Sequence, residues 1–320
     1  MKNKTVLVTG ANGYVGNAVA KAFVRGGWTT YGLIRKEKDA LDLKKNEIFP
    51  VIGTPEDLTF LNAVENVVFD CVISNTEDWN SPETHLEKVE IMLYEVSKRS
   101  IAAGIRPLIM FSSGCKDYGR MQEVHGDENL AGHTEISPIN PPAALVKRAE
   151  LGIKLLEDKT SGFDSIVLRP TIVYGNSSSH YGTLFNLAAE SKSTLTLIAN
   201  PNAIMHSLHI DDCADAYLAL AEHPIREEVA HQAYNISNIR YETAEEVGRA
   251  LGKSYHLKLD LVAPEEEMQL DLSVHSLANF SQWVNSSKIR KLTGWKEKRI
   301  PFTDGIEQYR MAYEALSQAR

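Results

Sequence analysis

Three glycines, Gly10, Gly13 and Gly16, follow a short β-branched run and open an amphipathic stretch. Positions without a Cβ at that spacing let a strand turn tightly into a helix. They also let backbone N–H groups approach a pyrophosphate, which then sits on the helix N-terminus. The loop Gly10-Ala11-Asn12-Gly13-Tyr14-Val15-Gly16 is therefore a candidate dinucleotide cradle. The alternative is a tight turn that holds nothing; the strand before it and the helix after it favour the cradle. The second predicted strand ends at Leu33-Ile34-Arg35-Lys36. A carboxylate there would accept hydrogen bonds from the adenosine ribose hydroxyls, as NAD requires. Arg35 instead presents a planar fork to a 2′-phosphate and Lys36 adds a second positive charge, so the sequence predicts NADP(H). The competing reading of this stretch is a solvated basic loop, since Lys38 follows closely.

Other chemistry-bearing clusters are weaker. His206, His209, Asp211 and Asp212 are metal-ligand types, but strand alternation turns the two histidines to opposite faces, and no metal site is predicted. The chain carries no nucleophile-elbow serine, no HExxH and no CxxC. Glu77, Asp78 and Trp79 follow the fourth predicted strand at its carboxyl end, where ligands collect in doubly wound sheets.

The elements that must position these groups alternate regularly. Strands are expected at 5–9, 30–34, 49–52, 71–74, 107–111 and 165–169, with helical periodicity at 17–25 and 87–103. That alternation implies right-handed crossovers and an α/β fold, a Rossmann-type doubly wound parallel sheet. The rhythm loosens after residue 169. The expected organisation is a dinucleotide-binding core over 1–175 and a smaller C-terminal substrate-binding lobe over 176–320, interleaved with the sheet. Asp211 and Asp212 are expected to cap a helix at 214–221. The acidic run 265–267 reads as a solvated face.

More of the chain carries a resemblance. Thr9 through Gly16, Leu168-Arg-Pro-Thr-Ile-Val-Tyr-Gly175, His206 through Asp212, and Lys288 with Leu292-Thr-Gly-Trp295 and Pro301 together resemble the extended short-chain dehydrogenase/reductase family, with its epimerases and dehydratases. The resemblance implies cofactor contacts at Thr54, Ser74, Asn75, Lys147, Pro170 and Val173, beside those of the glycine loop. It also implies a tyrosine proton donor four residues before the cofactor-binding Lys147, on one helical face. That tyrosine position holds Ala143, and a methyl group exchanges no proton. The loop from Phe111 to Gly119 matches the segment that carries the orienting hydroxyl, but Gly114 stands at its position. Candidate replacements are Ser113, one residue away, and His180 or Tyr181, beyond the strand that the resemblance sets beside the nicotinamide. Tyr118, Cys115 and Lys116 read more simply as packing or surface residues.

Composition bounds the alternatives. The chain has 320 residues, 34 basic and 42 acidic side chains and a net charge of −8, which disfavours a nucleic-acid-binding face. Three cysteines, Cys71, Cys115 and Cys213, cannot all pair, and no apolar stretch reaches membrane length, so a cytoplasmic protein is expected. Three functions stay open. They are an NADP(H)-dependent oxidoreductase of a small-molecule carbonyl or alcohol with a non-standard proton donor, a non-redox rearrangement enzyme on the same scaffold, and a silent NADP(H)-binding regulator. The resemblance also allows a homodimer through a helix pair.

Overall fold

The computed structural model describes residues 4–177, 180–264 and 273–318; the acidic run 265–267 lies outside them. The chain forms two compact units. The first comprises Met1–Gly114, Ala143–Arg169 and Ala214–Tyr234; the second comprises Cys115–Pro142, Pro170–Cys213 and Asn235–Arg320. The chain passes between them repeatedly, so a single boundary at residue 175 does not describe the division.

The first unit is built on six strands: β1 (Thr5–Thr9), β2 (Thr29–Ile34), β3 (Phe49–Ile52), β4 (Cys71–Ser74), β5 (Leu108–Ser112) and β6 (Asp164–Pro170). With the strand Gln232–Ile236 they make one seven-stranded sheet, in the order Gln232–Ile236, β6, β5, β4, β1, β2, β3. β1 pairs in parallel with both β2 and β4, and β4–β5 and β5–β6 pair in parallel too. The chain order reverses at β1, so a crevice opens at the carboxyl ends of β1 and β4. Strands covered on both faces need continuous apolar runs rather than alternation. Accordingly Val6, Leu7 and Val8 of β1 and all of β4 are buried.

Four helices cross between these strands. α1 (Tyr14–Arg25) turns Val19, Ala20 and Phe23 onto the sheet, and each fully buried large side chain contributes about 1.5–3 kcal/mol. α2 (Ala40–Lys45) buries Ala40 and Leu43. α3 (Pro82–Ala102) starts five residues earlier than the periodicity at 87–103 suggests, because Ser81 and Pro82 form an N-cap and N1 pair. That extra turn brings His85 onto the buried face, in line with Val89, Met92 and Val96. α4 (Val146–Glu157) is preceded by a 3₁₀ turn at Ala143–Leu145.

The second unit has short strand pairs: Ile172–Tyr174 with Ser207–His209, Thr194–Ile198 with Lys258–Val262, and Ile204–Met205 with Glu242–Thr243. Its core is aromatic, with Tyr174, Tyr181, Phe185, Phe302 and Tyr309 packed together. Asp211 and Asp212 are not caps. The helix begins at Ile210, so both lie in its first turn, and Asp212 accepts the backbone N–H groups of Lys298 and Arg299. No helix among the described residues is long and apolar enough to cross a membrane. All three cysteines are buried and none forms a disulfide among the described residues.

His206 is buried in this unit with both ring nitrogens committed. Nε2 donates to the Asn238 carbonyl, and Nδ1 accepts the Val284 N–H at 3.2 Å. Protonating Nδ1 would remove that acceptor. Burial, partly opposed by the Asn238 carbonyl, lowers the imidazole pKa from 6.5 to about 4. The unfolded chain therefore binds the proton first. Stability is complete above pH 6.5 and is lost as pH falls towards 4, by about 3 kcal/mol from this group. Melting temperature followed across that window should fall more steeply in the native protein than in His206→Gln.

Candidate functional site

The crevice at the carboxyl ends of β1 and β4 is shaped by glycine. Gly10 ends β1 at φ +62°, where a Cβ would stand 3.0 Å from the Asn75 carbonyl oxygen. A Cβ on Gly16 would lie 2.2 Å from the Gly10 carbonyl oxygen, so α1 can approach the loop only without one. The loop closes on itself through the Gly13 N–H, which donates to Gly10 O at 2.8 Å. Asn17 ties it from α1 by donating to Ala11 O. No side chain caps α1 at Gly13, and its first turn has no acidic residue. Such a terminus suits an anion.

A cavity of ≈ 200 Å³ lies over this loop. Gly10, Asn12, Gly13, Arg35 and Asn75 line it, together with Glu77 and Asp78. Arg35 is exposed, and among the described residues no carboxylate pairs with it. Asn75 is held at two points. Its N–H donates to Thr9 Oγ1 at 3.0 Å, and its Oδ1 accepts from the Ser112 hydroxyl. Ser112 Oγ in turn accepts from the buried Tyr217 hydroxyl at 2.9 Å. That chain fixes Oδ1 as the acceptor and leaves Nδ2, a buried donor on the cavity wall, with no partner among the described residues. A buried donor without a partner costs about 1–3 kcal/mol unless a ligand supplies one. The open helix terminus, the missing Cβ atoms and this amide all fit a dinucleotide.

The carboxylates of the wall are each engaged. Glu77 pairs with Arg148 at 2.7 Å, and Asp78 accepts the Asn80 N–H. Glu56 meets His85 Nδ1 at 2.5 Å, while His85 Nε2 lies 3.1 Å from Thr76 Oγ1. A second cavity adjoins the first, sharing Glu77, Asp78 and His85, and its wall also includes Trp79, Ala144, Leu145 and Arg148.

The remaining predicted residues are dispersed. Tyr14, Val15 and Gly16 form the first turn of α1. Lys36 is exposed beside Arg35 but off the cavity wall, Thr54 sits between the lining residues Gly53 and Pro55, and Ser74 is buried at the end of β4. Ser113 is buried, its N–H donating to Leu168 O. Pro170, Val173, His180 and Tyr181 belong to the second unit. There His180 is half-buried before the helix Tyr181–Glu190. Tyr181 is packed against Tyr174 and Phe302, and burial raises its phenol far above the ordinary range, which corrects its reading as a proton donor.

Lys147 is the second correction. It is half-exposed on the outer side of α4, in a groove with Glu83, Glu87 and Glu90 of α3. Glu150, 3.1 Å away, holds its ammonium above the usual lysine range. The inward position one residue later belongs to Arg148, whose side chain is 11% exposed. Ala144, not Ala143, shares the cavity with it. The sequence pattern misses His85, Glu56, Thr76 and Arg148. A polar residue on the apolar stripe of α3 is the signal that could have found His85. Ala143→Tyr should leave dinucleotide affinity and turnover close to the native values, because that position is exposed and off both cavities. Ala144→Tyr should fill the second cavity and lower turnover; steady-state kinetics on the two variants checks the order.

A sequence model of the NAD dependent epimerase/dehydratase family matches residues 6–237. An uncharacterised protein of Schizosaccharomyces pombe is 22% identical over 296 residues, 91% of this chain and 94% of that protein. A trifunctional UDP-glucose 4,6-dehydratase/UDP-4-keto-6-deoxy-D-glucose 3,5-epimerase/UDP-4-keto-L-rhamnose-reductase of Arabidopsis thaliana is 24% identical over 96% of this chain, which spans only 46% of that enzyme. Among solved structures, UDP-glucose 4-epimerase of Thermotoga maritima superposes with TM-score 0.77 at 15% identity, covering 98% of this chain and 99% of that one. The dTDP-glucose 4,6-dehydratase of Bacillus anthracis, in complex with NAD, gives 0.76 at 14% identity, covering 98% of each chain. At such identities the superpositions speak for the fold alone. The family match over most of the chain goes further: this protein belongs to the NAD dependent epimerase/dehydratase family.

Proposed function

We propose that this protein is an NADP(H)-dependent oxidoreductase acting on a small-molecule carbonyl or alcohol, with a proton donor other than the family's tyrosine. The observation that carries the reading is Arg35, which closes the adenosine end of the cavity with no carboxylate partner. A guanidinium there complements a 2′-phosphate, whereas ribose hydroxyls call for an acceptor. Gly10, Gly13 and the open end of α1 would hold the pyrophosphate, and Asn75 Nδ2 would donate to the bound dinucleotide. When bound, the dinucleotide supplies hydride chemistry. The protein's own part is to fix the substrate, exclude water and move a proton.

The turn Ala143–Leu145 and the first turn of α4 carry no phenol, and Lys147 faces away from the cavity. Those facts favour a second reading, a dinucleotide-binding regulator without turnover. Oxidation of NADPH, followed at 340 nm against aldehydes, ketones and 4-keto sugar nucleotides, separates the two. Carbonyl-dependent oxidation is expected; NADPH binding with no oxidation by any of them would favour the regulator.

A further inference from the structure

We propose that Thr76 is the hydroxyl through which this protein moves its reaction proton, with His85 as the proton store behind it and Glu56 as the group that orients the imidazole. The inference rests on the oxidoreductase reading above and names the donor that the reading leaves open.

Three separate segments build the arrangement. Glu56 comes from the loop after β3, Thr76 from the end of β4 and His85 from the added turn of α3. Glu56 Oε1 lies 2.5 Å from His85 Nδ1, and His85 Nε2 lies 3.1 Å from Thr76 Oγ1. A carboxylate, an imidazole and a hydroxyl in that order is the geometry by which an alcohol is made to give or take a proton at neutral pH. The Thr76 rotamer is set by its surroundings, since its methyl faces Gly10, where a Cβ would come within 3.3 Å. Its oxygen is thereby turned to the histidine.

Position supports a chemical role over a structural pin. His85 is 6% exposed, yet it borders both the dinucleotide cavity and the adjoining cavity that holds Ala144 and Arg148. A histidine buried only for packing needs one backbone partner. This one spends both nitrogens on side chains that line the cavity. The other charged groups facing it are Glu77, Asp78 and Arg148, and Glu77 is neutralised by Arg148. Burial raises the Glu56 pKa, but the hydrogen bond from the His85 ring and the backbone hydrogen bond outweigh it and hold the carboxyl below its usual range. Glu56 is therefore an acceptor at neutral pH, and Nδ1 carries the proton.

The step balances. In carbonyl reduction the electron pair arrives with the hydride of the reduced dinucleotide, forming a C–H bond as the C=O π bond breaks. The oxygen takes the Thr76 hydroxyl proton, Thr76 takes the Nε2 proton of protonated His85, and His85 is left neutral with Nδ1–H on Glu56. A hydronium ion from solvent returns the proton to His85 and leaves water, so the reduction consumes one solution proton. Alcohol oxidation runs the same path backwards.

The test uses the full chain, Thr76→Val and Thr76→Ser, with NADPH affinity by calorimetry, turnover against the same carbonyls, and ¹⁵N resonances of the His85 ring. Thr76→Val should lower kcat by about 100-fold or more while NADPH affinity stays near the native value. Thr76→Ser should restore most of kcat. The neutral form of the native ring, left after the step, should show Nδ1 protonated and Nε2 as the acceptor, with the Nε2 resonance moving in Thr76→Val. A Thr76→Val protein with native kcat, or a neutral ring protonated at Nε2, would overturn the proposal and leave the oxidoreductase reading intact. Native protein that binds NADPH but oxidises it with no carbonyl would remove both.

Discussion

Arg35→Asp should invert the cofactor preference. On the proposed NADP(H) reading, the native guanidinium would form a charge-assisted fork to the 2′-phosphate, contributing roughly 1.5–3 kcal/mol, about tenfold or more in affinity. The aspartate removes that contact, places a like charge beside the phosphate and provides the acceptor that ribose hydroxyls require. NADPH affinity should fall by about tenfold or more, and NADH affinity should hold or rise. Arg35 is exposed at the end of β2 and supports no described ion pair, so the fold should be indifferent to the change. Paired titrations of both dinucleotides into both proteins give the result. An unchanged NADPH affinity in Arg35→Asp would mean that the side chain does not meet the phosphate.

Gly16→Ala should cost both stability and binding. Its Cβ would come 2.2 Å from Gly10 O and 2.8 Å from Gly10 C, and both are backbone atoms that can yield only if the loop or α1 moves. Overpacking of this kind costs about 1–3 kcal/mol, and it displaces the N–H groups meant for the pyrophosphate. A lower melting temperature and at least about a tenfold loss of dinucleotide affinity are expected together. Gly152→Ala is the control in the same unit. Its Cβ would meet Val167 at an ordinary 3.5 Å, and alanine is the better helix former in α4 by about 0.8–1 kcal/mol. Thermal melts and NADPH titration of the two variants should therefore diverge in both readouts.

Much of the cradle was legible because local rules decide it. β1, β3 and β4 begin and end where the apolar runs do, and the glycine spacing places the loop between β1 and α1. Glu77, Asp78 and Trp79 line the cavities because the carboxyl end of a strand beside the reversal in chain order is where the crevice must open. The proton-handling side chains were less legible, for geometric reasons. The 3₁₀ turn at Ala143–Leu145 winds three residues per turn, so offsets counted through it do not follow an α-helical face. Arg148 then occupies the inward position that the pattern assigns to Lys147. His85 escaped because the apolar periodicity of α3 starts beyond it, while the start is set by Ser81 and Pro82. Its contact with Glu56 joins residues 29 positions apart, and only the folded sheet brings the loop after β3 against α3. Tyr181 is packed against Tyr174 and Phe302; the contact with Phe302, from a segment far along the chain, is one that local periodicity does not show.

The central claim is that the cavity over Gly10 and Arg35 holds NADP(H). Calorimetric titration of NADPH and NADH, side by side, into the native protein tests it most directly. The proposed function predicts saturable one-to-one binding with NADPH favoured by about tenfold or more; equal affinities, or no binding of either, would contradict it.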